Sequence, residues 1–470
     1  MGGGGVEAGG AGGRGARMLG PPPNRNRERD KDALAASRRA AALMRRASLR
    51  EGEAPLDRPI RFGTTMRNCL SHKVMLARGW VETDGDDWDV FYADVGWIHE
   101  NMPYAGAVSG GLRLNDRQRV NHFPNHIELT RKDLMAKNLK RMKRSLEKEG
   151  RAKEAQDIDF FMTTYHMPSE CSLFVRNWKE SRAQGETQVW IMKPIGRAQG
   201  KGIFLVSKLS QIEAWMKERG QEKADNCCYE DFVCQRYMCN PYLVGGRKFD
   251  LRLYALCLSY IPLKVYLYRD GFARFSSTRF SMQKEDLGNS YVHLTNHAIQ
   301  KQDQSYDSKV TDLKWPLRNL RLHVVATHGV EVADKLFLDI ERLVVNSLRA
   351  VQQTIINDKN CYEMYGYDVM IDAELKPWLI EVNASPSMSS DNETDRQLKE
   401  GLLHDTFTAV DIEGRFGGAP PLRVGGYDLV HDEMGSVKRD PLSCISSHLG
   451  TRNNRKAQLK TLFKKQKHPT

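Results

Sequence analysis

Apolar residues recur at helical spacing in a few stretches of the chain. In residues 131–153, Leu139, Met142 and Leu146 fall three and four apart, which predicts a helix with one apolar face. Residues 330–356 predict a long amphipathic helix, and 66–76, 209–219 and 391–410 shorter ones. Strand patterns, rich in β-branched and aromatic residues, lie between them: 61–62, 88–94, 190–192, 203–206, 233–237, 251–260, 263–269, 365–371 and 377–382. The last two flank the turn Asp372-Ala373-Glu374, and 190–192 and 203–206 flank a Gly-bearing loop. The reading is a mixed α/β (α+β) protein, and 470 residues are too many for one compact core.

The ends read differently. Residues 1–59 are rich in Gly, Ala and Arg with Pro21-Pro22-Pro23, and predict a disordered leader. Residues 411–470 thin into Gly, Pro and basic residues and predict a basic, largely disordered tail. Between them the pattern divides into an N-terminal α/β domain carrying the basic helix (60–185), a central domain (186–290) and a C-terminal domain (291–410).

Charge changes little in this picture. The first 60 residues carry 12 Lys/Arg and 7 Asp/Glu, and the last 20 carry 7 Lys/Arg and no acid. The ends therefore account for the whole formal excess of +12, and the interior is balanced. That argues against nucleic acid as a partner. The longest mostly apolar stretch, 253–267, contains Pro262 and Lys264, so no segment approaches the roughly 20 apolar residues that span a bilayer. Without an apolar leader, and with nine cysteines in no CxxC pair, the expectation is a reducing, intracellular setting and no membrane partner.

Chemistry gathers at the last strand pair. Asp368 on one strand meets Glu381 and Asn383 at the end of the other, among apolar neighbours. Two carboxylates there cannot both stay ionised without a cation between them. Oxygen donors of this kind suit magnesium, which takes phosphate oxygens as further ligands. Lys193 ends a strand, the loop Gln199-Gly200-Lys201-Gly202 offers backbone N–H groups to phosphate, and Lys248, Asp250 and Arg252 alternate along one strand face.

Five ordered motifs carry a resemblance: Met-Lys-Pro with Gln-Gly-Lys-Gly-Ile, Lys-Phe-Asp-Leu-Arg, His-Leu-Thr-Asn, Tyr-Gly-Tyr-Asp, and Ile-Glu-Val-Asn-Ala-Ser-Pro-Ser. Together they resemble the tubulin tyrosine ligase-like family, whose members have an ATP-grasp fold. The last motif and the upstream stretch Asn-His-Phe…Glu-Leu-Thr-Arg-Lys are most similar to its polyglutamylase branch, the axonemal single-domain type. The resemblance implies that ATP is bound by Lys193, Gln199, Gly200, Lys201 and Gly202 at its phosphates. Gln235, Arg236, Tyr237 and Met238 would hold adenine. Lys248, Phe249, Asp250, Thr295 and Asn296 would also line the nucleotide site. Asp368, Glu381 and Asn383 match Mg2+ ligands, and Arg252 and Lys193 would stabilise the transferring phosphoryl group. Arg274, His297, Lys314 and Lys399, with Gln199, match the residues that hold free L-glutamate. His297-Ala298 and Ala384 depart from many relatives, around the glutamate pocket and the acceptor respectively.

The implied reaction is ATP-dependent addition of glutamate to glutamate side chains of tubulin C-terminal tails through an acylphosphate. The basic residues Lys137, Lys140, Arg141, Lys143 and Arg144 would guide the acidic tail. A cytoplasmic, cytoskeletal place of action, at a ciliary or flagellar axoneme or basal body, goes with this resemblance. Ligation of glycine or tyrosine, or a catalytically silent microtubule-binding role, stays open beside it.

Overall fold

The computed structural model describes residues 58–102, 112–186, 188–197, 199–224, 230–302, 313–416, 421–435 and 447–467. The leader expected over 1–59 lies almost wholly outside them. Among the described residues, strands form three sheets. The first is parallel, in the order β2-β1-β3-β4, from Arg61–Thr64 (β1), Val81–Glu82 (β2), Val90–Tyr92 (β3) and Arg119–Val120 (β4). Helix α1 (Leu70–Ala77) connects β1 to β2, starting later than the spacing predicts.

The second sheet is antiparallel, in the order β5-β8-β6-β7: Thr164–Met167 (β5), Trp190–Pro194 (β6), Phe204–Val206 (β7) and Phe232–Arg236 (β8). The third holds eight strands. Phe249–Tyr260 (β9) is its spine, paired on one edge with Leu263–Tyr268 (β10) and Phe272–Phe275 (β11), and on the other with Glu363–Ile371 (β13). Lys314–Pro316 (β12) extends β11, and Pro377–Asn383 (β14) pairs with β13. Arg423–Val424 (β15) and Tyr427–Asp432 (β16) close the far edge beside β10.

Strand alternation decides what each face of β9 does. Phe249, Leu251, Leu253, Ala255 and Cys257 enter the main core with Phe337, Ile340, Val344 and Leu348 of the helix Val330–Val351. The opposite face begins with Asp250 and Arg252 and becomes apolar at Tyr254 and Leu256, which pack with Leu402, Leu403 and Phe407 of the helix Glu393–Ala409. Asp250, in the charged half of that face, lines a cavity.

Several sequence expectations need correction. Residues 131–153 are not one helix: Lys132–Lys148 (α2) ends at Gly150, whose φ of +73° a side chain would resist, and Ala152–Gln156 follows separately. The tail expected over 411–470 contributes β15 and β16 to the central sheet and the helix Arg455–Lys467. Buried ion pairs anchor it: Arg269 to Asp428 at 2.5–2.6 Å, and Arg455 to the fully buried Asp405 at 2.8 Å. The expected boundaries at 185 and 290 each cut a sheet, since β5 pairs with β8 and β11 pairs with β12. No helix among the described residues is long and apolar enough to cross a membrane.

Candidate active site

A cavity of about 800 Å³, counted out to its open mouth, lies between the second sheet and the charged face of the third. Lys193, Gln199, Gly200, Gln235, Arg236, Tyr237 and Met238 line it from one side. Lys248, Asp250, Thr295, Asn296, Asp368 and Glu381 line it from the other.

Two lysines are buried at its floor. Lys193 Nζ donates to Gln235 Oε1 at 2.7 Å, and burial pushes its pKa down to about 8. Lys248 Nζ donates to the Tyr237 hydroxyl and to the His293 carbonyl, both at 2.8 Å, and burial pushes it down to about 7. The Tyr237 hydroxyl in turn lies 2.8 Å from His293 Nδ1, and His293 Nε2 lies 3.0 Å from the Asp286 carbonyl. Burial and the nearby Lys248 lower His293 to about 4, so the neutral ring accepts from Tyr237 and donates to Asp286.

The hairpin loop closes over the cavity at Gly200. Its φ is +78°, and an added Cβ would stand 2.5 Å from Ile299 Cδ1 and 3.0 Å from Asn296 Oδ1. No side chain fits there.

Opposite Lys193, the register of β13 and β14 puts Asp368 across from Glu381. A β-bulge makes this possible. Ile380 has no partner between the Val369–Leu379 and Asp368–Glu381 pairs, so Leu379 faces the core while Ile380 and Glu381 face the cavity. Asn383 follows two residues on, its Nδ2 3.4 Å from Glu381 Oε1. Asp368 is held by Arg252 (2.6 and 3.1 Å) and Arg274 (2.9 Å). Burial alone would raise its pKa, but the two guanidinium groups hold it well below the usual carboxylate range. Arg274 also bonds both oxygens of Asp250 at 2.7 Å, and Thr295 donates to Asp250 at 2.6 Å.

The structure disperses some residues that the motifs grouped. The Phe249 side chain points away from the cavity into the core beside Tyr242 and Phe275, not toward the nucleotide site its motif implied. Lys201 and Gly202 do not line the cavity, and Lys201 is exposed on the loop. Arg252 and Arg274 stand behind Asp368 as its ion-pair partners. Lys314 and Lys399 converge on buried Asp395 at 3.0 and 2.9 Å; Lys314 also pairs with Asp391, and Lys399 donates to the Ser389 carbonyl. The side chain of His297 lies outside the described residues.

Sequence reasoning missed Lys132. At the start of α2 it donates to the Arg197 carbonyl at 3.2 Å and stands 3.8 Å from Glu381 Oε2, linking α2 to the cavity. It sits in the stretch Glu-Leu-Thr-Arg-Lys, so the motif was the available signal. The rest of α2 is less free than its composition implies. Lys140 bonds the Thr164 carbonyl, Arg141 the Thr354 hydroxyl and Lys143 Asp159 at 2.8 Å. Among the described residues, Lys137 and Arg144 are the exposed cations of the group that make no such bond.

Two β layers that close on a cleft, Lys193 on one wall and Lys248 with the carboxylates on the other, have the architecture of an ATP-grasp enzyme. The pattern of the Tubulin-tyrosine ligase family matches residues 112–415, and the chain belongs to that family. It is 43% identical over 442 residues to a protein of Rattus norvegicus described as probable tubulin polyglutamylase TTLL9, covering 86% of this chain and 92% of that one. Over 405 residues it is 41% identical to probable alpha-tubulin polyglutamylase Ttll1 of Tetrahymena thermophila, covering 81% and 95%. Over 343 residues it is 30% identical to human tubulin polyglutamylase TTLL6, covering 70% and 34%.

Proposed function

We propose that the protein is an ATP-dependent ligase that adds glutamate to glutamate side chains of tubulin C-terminal tails. The observation that carries this reading is one cavity uniting the Lys193–Gly200 cradle with Asp368 and Glu381, in a chain alike over most of its length to named tubulin polyglutamylases. ATP is the phosphoryl donor. Lys193, Lys132 and the backbone around Gly200 would hold its phosphates, and Tyr237 and Met238 would hold its base.

The donor set fits magnesium. Among the described residues no three His, Cys, Asp or Glu side chains gather to hold a metal ion. The carboxylates Asp368 on β13 and Glu381 on β14, with the amide of Asn383 on β14, are, however, all hard oxygen donors on two paired strands. Glu381 and Asn383 are the accessible pair, because both oxygens of Asp368 are taken by arginines. A bound Mg2+ would neutralise charge on the transferring phosphoryl group. Arg252 and Arg274 hold Asp368 in place and add positive charge behind it.

A carboxylate is a poor electrophile, so the acceptor glutamate is phosphorylated to an acylphosphate before the α-amine of free glutamate attacks. Lys301, Lys314 and Lys399 outnumber the Asp391 and Asp395 they pair with, and the net positive charge favours an acidic incoming amino acid over glycine or tyrosine. Lys137 and Arg144, exposed on α2, would meet the acidic tail, and cytoskeletal sites, cilia and flagella among them, are where such a substrate is found. Purified protein, tubulin and ATP with each amino acid in turn, followed by mass spectrometry of the tails, tests the reading. Increments of glutamate residues are expected; increments with glycine or tyrosine alone would overturn it.

Two further results are expected. Raising the pH from about 7 to 9 discharges Lys193 and Lys248 in the free protein, so binding a polyanion requires proton uptake that grows costlier. ATP affinity should fall across that window, with a slope that Lys193→Met reduces; titration calorimetry in several buffers reads both the affinity and the proton uptake. Gly200→Ala should weaken nucleotide binding about tenfold or more, since the left-handed conformation alone costs roughly 1–2 kcal/mol for a side-chain-bearing residue. Its thermal midpoint should barely move, and unchanged affinity in a nucleotide titration would refute the cradle.

A further inference from the structure

The motifs Asn-His-Phe and Asn-Ala-Ser-Pro-Ser lie 263 residues apart, yet one side chain of each meets the other. His122 Nε2 stands 3.2 Å from Ser385 Oγ, and His122 Nδ1 stands 3.0 Å from Glu363 Oε1. Glu363 is fully buried and its other oxygen accepts from the Phe123 N–H at 3.1 Å and the Tyr365 hydroxyl at 3.0 Å. A carboxylate so placed fixes Nδ1–H as the donor and leaves the Nε2 lone pair facing the serine hydroxyl. His122 is 1% exposed, whereas Ser385 is exposed. Buried acid, buried imidazole and accessible hydroxyl are thus in the order of a hydroxyl with its base and the base's orienting group.

The hydroxyl also has a telling position. Ser385 follows Glu381 and Asn383 by four and two residues. The next residue, Pro386, crosses over Gly366, where an added Cβ would lie 2.7 Å from Pro386 and 3.6 Å from Arg252 Cδ. Farther along the same loop, the Ser389 carbonyl accepts from Lys399 and Asp391 pairs with Lys314. Ser385 therefore sits on the segment that joins the phosphate end of the site to its amino-acid end.

We propose that Ser385, His122 and Glu363 form a proton relay for the incoming amine; the proposal rests on the acylphosphate reading above. The amine nitrogen bonds to the acyl carbon, and the acyl C–O bond breaks with its electron pair leaving on phosphate. Of the two protons that the α-ammonium sheds in becoming an amide N–H, one leaves with phosphate. The other passes to Ser385 Oγ as the serine proton passes to His122 Nε2. Glu363 holds the imidazolium so formed, which then returns its proton to solvent through Ser385. Ser385 is the catalytic residue of the three, and His122 and Glu363 act through it.

Hydroxylamine separates this role from a structural one, because it is unprotonated at neutral pH and captures an acylphosphate without help from a base. Ser385→Ala should lower glutamate transfer to tubulin about 10²-fold. With ATP present and glutamate withheld, the same variant should form hydroxamate on tubulin at the wild-type rate. His122→Gln should show the same split, and Ser385→Ala decides the matter alone if that buried substitution prevents folding. Equal losses in both assays would make Ser385 a loop anchor and overturn the relay, as would no loss in either. Wild-type protein that transfers glutamate but yields no hydroxamate would instead overturn the acylphosphate reading itself.

Discussion

Glu381→Gln is expected to reduce amino-acid transfer by about 10²–10³-fold or more while leaving the fold and microtubule binding in place. The side chain is partly exposed at the end of β14, faces the cavity because of the bulge at Ile380, and has Lys132 3.8 Å away as its nearest cation. The amide keeps the shape and one oxygen donor but removes the negative charge that a divalent cation requires. A radiolabelled-glutamate assay beside microtubule co-sedimentation reads both quantities. Transfer equal to wild type would remove Glu381 from the chemistry.

Arg274→Ala is expected to cost about 3–5 kcal/mol of folding stability, the usual consequence of deleting one member of a buried charge network. Arg274 is fixed between Asp250 and Asp368, and its loss leaves three buried charges where four were balanced. The dependence on pH has a definite sign. Asp368 is held below the usual carboxylate range in the folded state, so its contribution is present above roughly pH 4 and is lost as the pH falls through the depressed value. The penalty of the substitution should thus be full at neutral pH and shrink in acid. Denaturant titrations at several pH values check this. A variant of wild-type stability with only a raised glutamate KM would return Arg274 to the direct substrate contact that its motif implied.

Much of the site was legible because its key residues lie on strands with simple alternation. Lys248, Asp250 and Arg252 share a face for that reason, and the same rule excludes Phe249, which its motif had grouped with them. Asp368 and Glu381 could be paired from their short turn. The bulge that turns Glu381 toward the cavity could not, because Leu379 and Glu381 have the same parity in sequence and opposite environments in the fold. Residues 427–432 were hidden by their Gly- and Pro-rich surroundings. Pairing with β10 and the Arg269–Asp428 bridge, both distant in sequence, join them to the central sheet beside the short β15. Distance in sequence also concealed Lys132 beside Glu381 and His122 beside Ser385. The basic helix erred in the other direction: its cations were visible, but the partners of Lys140, Arg141 and Lys143 came from other elements.

Crystals grown with a non-hydrolysable ATP analogue and Mn2+ in place of magnesium would test the cavity most directly, through the anomalous signal of the metal. The expected map has the triphosphate between Lys193 and the Gly200 loop, with manganese bound by Glu381 and Asn383 at the edge of β14. Nucleotide outside that cleft, or metal at any other set of side chains, would contradict the assignment.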